Sequence, residues 1–339
     1  MIPIKLSTTA QNAYHDLVRS LYRTEFAGTG GPAFLETRGT RRYWYERQRV
    51  GSSVKKRYLG EDNAETAAFL AERDSLRQNA EEARSHQSRL VRLLRAEGMT
   101  PTDTVSGPIL FAMAKLGVFR LGGTIVGTQA FRLYEGELGL QFAFDQTTQT
   151  GDIDIAQFET LSLALGDQVE ESLAKTFQDL EFAPVPSLKK SATWRWRQTK
   201  SDTLVEFLTP SFRPEEDIRP LPALGVSAQS LHFLNYLIAE PIKAAALYRS
   251  GVLVQIPRPE RYAIHKLIVA SRRQGGPDAI KSRKDRLQAD FLIRALAIDR
   301  PEDLRDAYQD ALSRGTKWQE HIHASLNLLA GAKKTLDNL

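Results

Sequence analysis

Gly122-Gly123, followed downstream by Asp152-Ile153-Asp154, constrains this chain more than any other feature. Alternate residues of a strand share a face, so Asp152 and Asp154 point the same way. Two such carboxylates repel each other unless a cation lies between them. A hard divalent cation, Mg²⁺ or Mn²⁺, meets that need, and Mg²⁺ is held by a few carboxylates together with substrate phosphates. A Gly-Gly turn ahead of a helix offers bare N–H groups at a helix N-terminus, a place for phosphate. The stretch reads as a strand over Val118–Leu121, the glycine turn, a helix over Thr124–Tyr134, and the Asp-x-Asp strand. Metal and phosphate cradle together point to nucleotidyl transfer.

That reaction needs a hydroxyl to attack an α-phosphorus and expel pyrophosphate, with two metals clamping the attacking and leaving oxygens. A third carboxylate is therefore expected on a neighbouring strand. Glu206, within the apolar run Leu204-Val205-Glu206-Phe207-Leu208, is the first candidate, and Asp202 is the reserve. An acid in such a run is costly if buried unpaired. The other reading places Glu206 on the solvent face of an edge strand.

The order of strand, Gly-Gly, helix and Asp-x-Asp strand resembles the DNA polymerase beta-type nucleotidyltransferase superfamily. The wording from Gly122 to Tyr134 and from Gly151 to Phe158 is most similar to its bacterial branch of AbiEii-like toxin nucleotidyltransferases. The resemblance covers residues 107–295. It implies a mixed α/β (α+β) nucleotidyltransferase core, an NTP substrate, and metal ligation by Asp152, Asp154 and Glu206, where the family more often has Asp at the third position. It implies that Gly122, Gly123 and Thr124 cradle the triphosphate and that Lys266, with Arg272 and Arg273, meets phosphate. The branch's Arg-Asp-x-x-Asp pattern corresponds here to Lys284-Asp285-Arg286-Leu287-Gln288, so its second acid is Gln288. Lys284 and Asp285 read equally well as an ion pair at a helix start. The implied acceptor is an RNA end such as that of tRNA, or a protein side chain, and a toxin role would bring an antitoxin partner.

Charge adds to this. Between Arg38 and Arg57 eight basic side chains face Glu46 alone, and Tyr43, Tyr45 and Tyr58 are interleaved. Such a segment suits RNA, with phosphate contacts and stacked bases. A solvated face packed on the body is the plainer reading. Residues 258–286 form a second basic cluster. With no cysteine, the chain has neither disulfides nor thiolate chemistry. No 18-residue apolar run and no signal-peptide core is present, so a cytoplasmic protein without membrane contact is expected. The six histidines show no metal spacing, and His265, beside Lys266, reads as packing.

Three regions follow. Residues 1–100 hold an amphipathic helix over 7–22, a basic hairpin turning at Gly51-Ser52, and helical sequence over 62–97, continuous or broken near Gln78. The middle of that helical stretch, Arg73 to Gln87, reads as an exposed spacer or a protein-partner surface. Residues 107–256 hold the core, with an insertion over 136–149 that includes a strand near Leu140, and paired strands at 194–197 and 203–208. Residues 257–339 form a helical part with a turn at Gln274–Pro277. The competing function is a non-catalytic nucleic-acid-binding protein on a degenerate transferase fold.

Overall fold

The computed structural model describes residues 4–26, 33–50, 53–142, 152–165, 167–169, 172–187, 192–273 and 278–339. The Gly51-Ser52 turn, the Gln274–Pro277 turn and residues 143–149 of the insertion lie outside the described residues. The chain is a mixed α/β protein, with helices around one seven-stranded mixed sheet and smaller antiparallel sheets.

The N-terminal region begins with strand β1 (Ile4–Lys5) and helix α1 (Thr8–Phe26). Ser7 Oγ accepts the Ala10 N–H at 3.0 Å, an N-cap worth about 1 kcal/mol. Ala10, Ala13, Tyr14, Leu17 and Leu21 recur at helical spacing and are all buried. Strands β2 (Ala33–Arg38), β3 (Arg41–Val50) and β4 (Ser53–Glu61) form an antiparallel sheet, so the expected hairpin gains a third strand. Helices α2 (Ala64–Gln78) and α3 (Ala80–Ala96) follow, with the break at Asn79. The middle of this stretch is anchored at its two ends, with residues 79–82 and 84–86 exposed between them. Arg73 is buried against Glu46 at 2.6 Å, and Gln87 is buried with its amide on Ser20 and Thr24 of α1.

Helix α4 (Ser106–Leu116) ends at Gly117, whose φ of 86° is left-handed backbone that glycine adopts without strain. The expected strand over Val118–Leu121 is absent. These residues wind into consecutive turns, with Leu121 N–H on Gly117 O and Gly123 N–H on Val118 O. Val118, Phe119 and Leu121 are apolar because they are buried, and a short buried run does not by itself separate strand from turn. The strand is β5 (Thr124–Val126), and its helix is α5 (Gly127–Leu138). Strand β6 (Leu140–Gln141) pairs with β1.

Then come β7 (Ile153–Ala156), α6 (Glu159–Leu165), α7 (Leu173–Asp179), β8 (Phe182–Pro184), β9 (Arg195–Gln198), β10 (Leu204–Pro210), β11 (Ile218–Leu221), β12 (Val226–Leu231) and the short α8 (Leu234–Leu237). The large sheet runs β11-β12-β10-β7-β5, with β9 bridging β10 and β8. β7 and β10 are parallel neighbours, while β5 lies antiparallel on the far side of β7. Strands β13 (Ile242–Ala246) and β14 (Val252–Ile256) form a separate ribbon.

Helix α9 (Pro259–Arg272) starts with proline at its first position, where a missing N–H costs nothing, and ends on a cation. Helices α10 (Asp278–Asp299), α11 (Pro301–Ser313), α12 (Thr316–Leu326) and α13 (Ala330–Asp337) complete the chain. One buried apolar cluster runs from Ile109 through the sheet to Leu336, with α9 at its centre. Among the described residues no helix is long and apolar enough to cross a membrane.

Candidate active site

Register brings the acids together. Glu206 of β10 is the Cα partner of Asp154 on β7, so the two side chains rise from adjacent parallel strands on the same face. Asp152 lies two residues before Asp154, on that face, and its Oδ1 accepts the Leu204 N–H at 3.3 Å. Asp202 is exposed in the turn before β10. Desolvation at the foot of the cleft, reinforced by the charges of Glu206 and Asp152, pushes Asp154 up to about 7. Lys266 and Arg273 pull it the other way. Burial, with Asp152, also raises Glu206, against its ion pair with Arg195 at 3.4 Å and the field of Lys281.

Asp152, Asp154 and Glu206, two of them raised by burial and a neighbouring carboxylate, are a hard-oxygen donor set short of a cation. Among the described residues no three acids or histidines stand close enough to hold an ion as they are. Glu206 instead pairs with Arg195, and Asp152 accepts the Leu204 N–H.

The structure places Gly122-Gly123-Thr124 away from the helix N-terminus expected for the cradle. Gly122 and Gly123 precede β5 instead of following a strand. A Cβ on Gly123 would stand 2.8 Å from Val118 O, and Gly122 has φ +94° against Leu161. Thr124 is buried, with its hydroxyl accepting from Gln255 at 3.0 Å. The strand-to-helix turn is Val126-Gly127-Thr128. Gly127 has φ +66°, and a side chain there would collide with Asp154 Oδ2. The first turn of α5 has no side-chain cap, so its N–H groups remain available to an anion. The Gly127 carbonyl accepts from the Tyr262 hydroxyl at 2.8 Å. The signal was in the sequence: Thr124-Ile125-Val126 is a β-branched run closed by glycine.

The cations come from α9. Lys266 and Arg273 both reach the buried Asp285 of α10, at 2.6 Å and 2.5 Å. Asp285 is therefore the counter-ion of the predicted phosphate lysine, and not simply of its neighbour Lys284. Burial and the charges of Lys266 and Arg273 lower Lys284 to about 8, against the opposing charges of Asp285 and Asp152. Gln288 is fully buried with Oε1 3.2 Å from the Tyr262 hydroxyl. Arg272 pairs with Glu216 at 3.0 Å and lies over the Phe233 ring. A cleft of about 340 Å³ joins these parts. Asp154, Gly127, Lys266 and Arg273 line it together with Phe233, Leu237 and His265. Sequence reasoning missed Gly127, Tyr262, Arg195, Lys281 and the cleft-lining place of His265. Only the glycine had a local signal, since the others depend on tertiary contacts.

No curated protein and no solved structure matches the chain. A family model described as Nucleotidyltransferase matches residues 104–313, from α4 through the sheet, the acids and the lysine helix to the end of α11. That span is more than half of the chain and contains the whole site, so the chain belongs to this nucleotidyltransferase family.

Proposed function

We propose that this protein transfers NMP from an NTP to a hydroxyl of an RNA acceptor in a Mg²⁺-dependent reaction. The observation that carries the reading is the pairing of Asp154 with Glu206 beside Asp152, opposite Lys266 and Arg273. Asp152, Asp154 and Glu206 would hold the metal, Glu206 exchanging Arg195 for it. Bound there, Mg²⁺ supplies Lewis acidity toward the phosphoryl oxygens and offsets the leaving charge. Gly127 leaves room beside Asp154, and the N–H groups of α5 meet phosphate oxygens. Lys266 and Arg273 neutralise the charge that develops on pyrophosphate as the bond from the α-phosphorus breaks. Glu206, raised by burial, takes the proton of the attacking hydroxyl. The field of Lys281 reaches Glu206, and the charge of Asp152 reaches Lys284. Two lysines beside the acids favour a polyanionic acceptor.

The test is transfer of label from each α-³²P NTP, with Mg²⁺ or Mn²⁺, onto total RNA and total protein, beside Asp152→Ala/Asp154→Ala. Labelled RNA with wild type and none with the double variant is the expected result. Label on protein would move the acceptor class. No label from any NTP with either metal, for a folded protein, removes the reading.

A further inference from the structure

His265 is a buried side chain that the proposed transfer does not use. It is 8% exposed and lines the cleft, and among the described residues its ring makes no hydrogen bond. Its two neighbours in function, Lys266 and Arg273, are both committed to Asp285. Burial, with the charges of Lys266, Arg272 and Arg273, pushes His265 down to about 3, so the ring is neutral at any working pH. A neutral imidazole has one N–H donor and one acceptor nitrogen, and no charge to offer a phosphate. It suits an uncharged polar edge.

The surroundings narrow the ligand further. Leu208, Leu234, Leu237 and Ile268 line the same cleft, together with Phe233. Phe233 holds a left-handed φ of +68° at the start of α8, and its ring packs edge-on against Trp318 at 4.7 Å. A flat group with apolar faces and a hydrogen-bonding rim fits such walls, whereas a ribose would leave the apolar surface uncovered.

We infer that the apolar lining of this cleft forms a nucleobase pocket and that His265 is its specificity-determining residue, reading the base edge through its imidazole. The inference rests on the nucleotidyltransferase reading for its ligand class. A site built to hydrogen-bond a substrate group discriminates strongly against a substrate lacking it, because its own polar atoms are then left unpaired.

The experiment measures kcat/KM for ATP, GTP, CTP and UTP with wild type, His265→Phe and His265→Gln. Wild type is expected to prefer one base by about 10-fold or more. His265→Phe should lower kcat/KM for that NTP by about 30-fold and bring the four values close together, and His265→Gln should restore part of the preference. An equal fall for all four NTPs, or an unchanged ranking in both variants, overturns the inference. Equilibrium dialysis of the four NTPs in EDTA separates this inference from the proposed reaction. A wild type that transfers nothing yet binds one NTP selectively, with the selectivity lost in His265→Phe, keeps the pocket and removes the transferase. A wild type that binds all four alike, or none, overturns the pocket.

Discussion

Between its ordinary value of 3.8 and about 7, the Asp154 carboxyl is protonated in the folded chain and ionised in the unfolded one. The folded state then binds more protons, so this group's contribution to stability is present at low pH and lost as pH rises through 7. Asparagine does not titrate. In EDTA, Asp154→Asn should melt several degrees above wild type at pH 8 and much closer to it at pH 5. Mg²⁺ at pH 8 should raise the wild-type melting temperature and leave the variant unmoved. Calorimetry across that range checks both, and a gap of the same size at pH 5 and pH 8 would sink the argument. The cause is a site that holds acids together for chemistry at the expense of stability.

Helices α9 and α10 meet through charge as well as packing, since Asp285 is buried between Lys266 and Arg273. Removing one member of a buried pair leaves an uncompensated charge, a loss of about 3–5 kcal/mol. Asp285→Ala should lower the urea midpoint accordingly, and Lys266→Met/Asp285→Leu should recover most of it. Equal midpoints for the single and the double variant would mean the charges are not coupled. Helix α9 was legible as an element, through Pro259 and the apolar periodicity of Tyr262, Ile264, Leu267 and Ile268, and of α10 only the stretch from Leu287 to Ala297. So were β7 and β10. What pairs with what was not legible. Glu206 stood out as an acid in an apolar strand, but only the parallel register sets it opposite Asp154. The Lys266–Asp285 pair likewise spans two helices. The glycine turn was misplaced because Val118-Phe119-Arg120-Leu121 is as apolar as a strand while serving as a buried turn.

Across the whole molecule, charge density in sequence and charge available to a partner diverge. The segment from Arg38 to Arg57 looked more basic than it is, because counter-ions for four of its eight basic residues lie just outside it. Arg38 and Lys56 pair with Glu36, Arg41 with Glu61, and Arg42 with Asp62. Arg57 pairs with Glu46 inside the segment. The sheet is also docked on the core, where Arg120 bridges Asp167 and the Tyr58 carbonyl and the Tyr45 hydroxyl donates to Leu165 O. A phosphate reaching Arg41 or Arg42 must compete with a carboxylate already there. Lys281 and Lys284 instead lie within electrostatic reach of Glu206 and Asp152 respectively. Each phosphate contact on single-stranded nucleic acid contributes about −0.7 to the slope of log K against log salt. Lys281→Ala/Lys284→Ala should therefore make the slope for single-stranded RNA shallower by about 1.4 at pH 7, and Arg41→Ala/Arg42→Ala should change it far less. Lys284, lowered to about 8, gives up its proton as pH rises through that value, so the difference between wild type and the lysine variant should shrink from pH 7 to pH 9. Filter binding over a salt series at both pH values measures this. A larger change from the arginine pair than from the lysine pair would return the RNA surface to the N-terminal sheet.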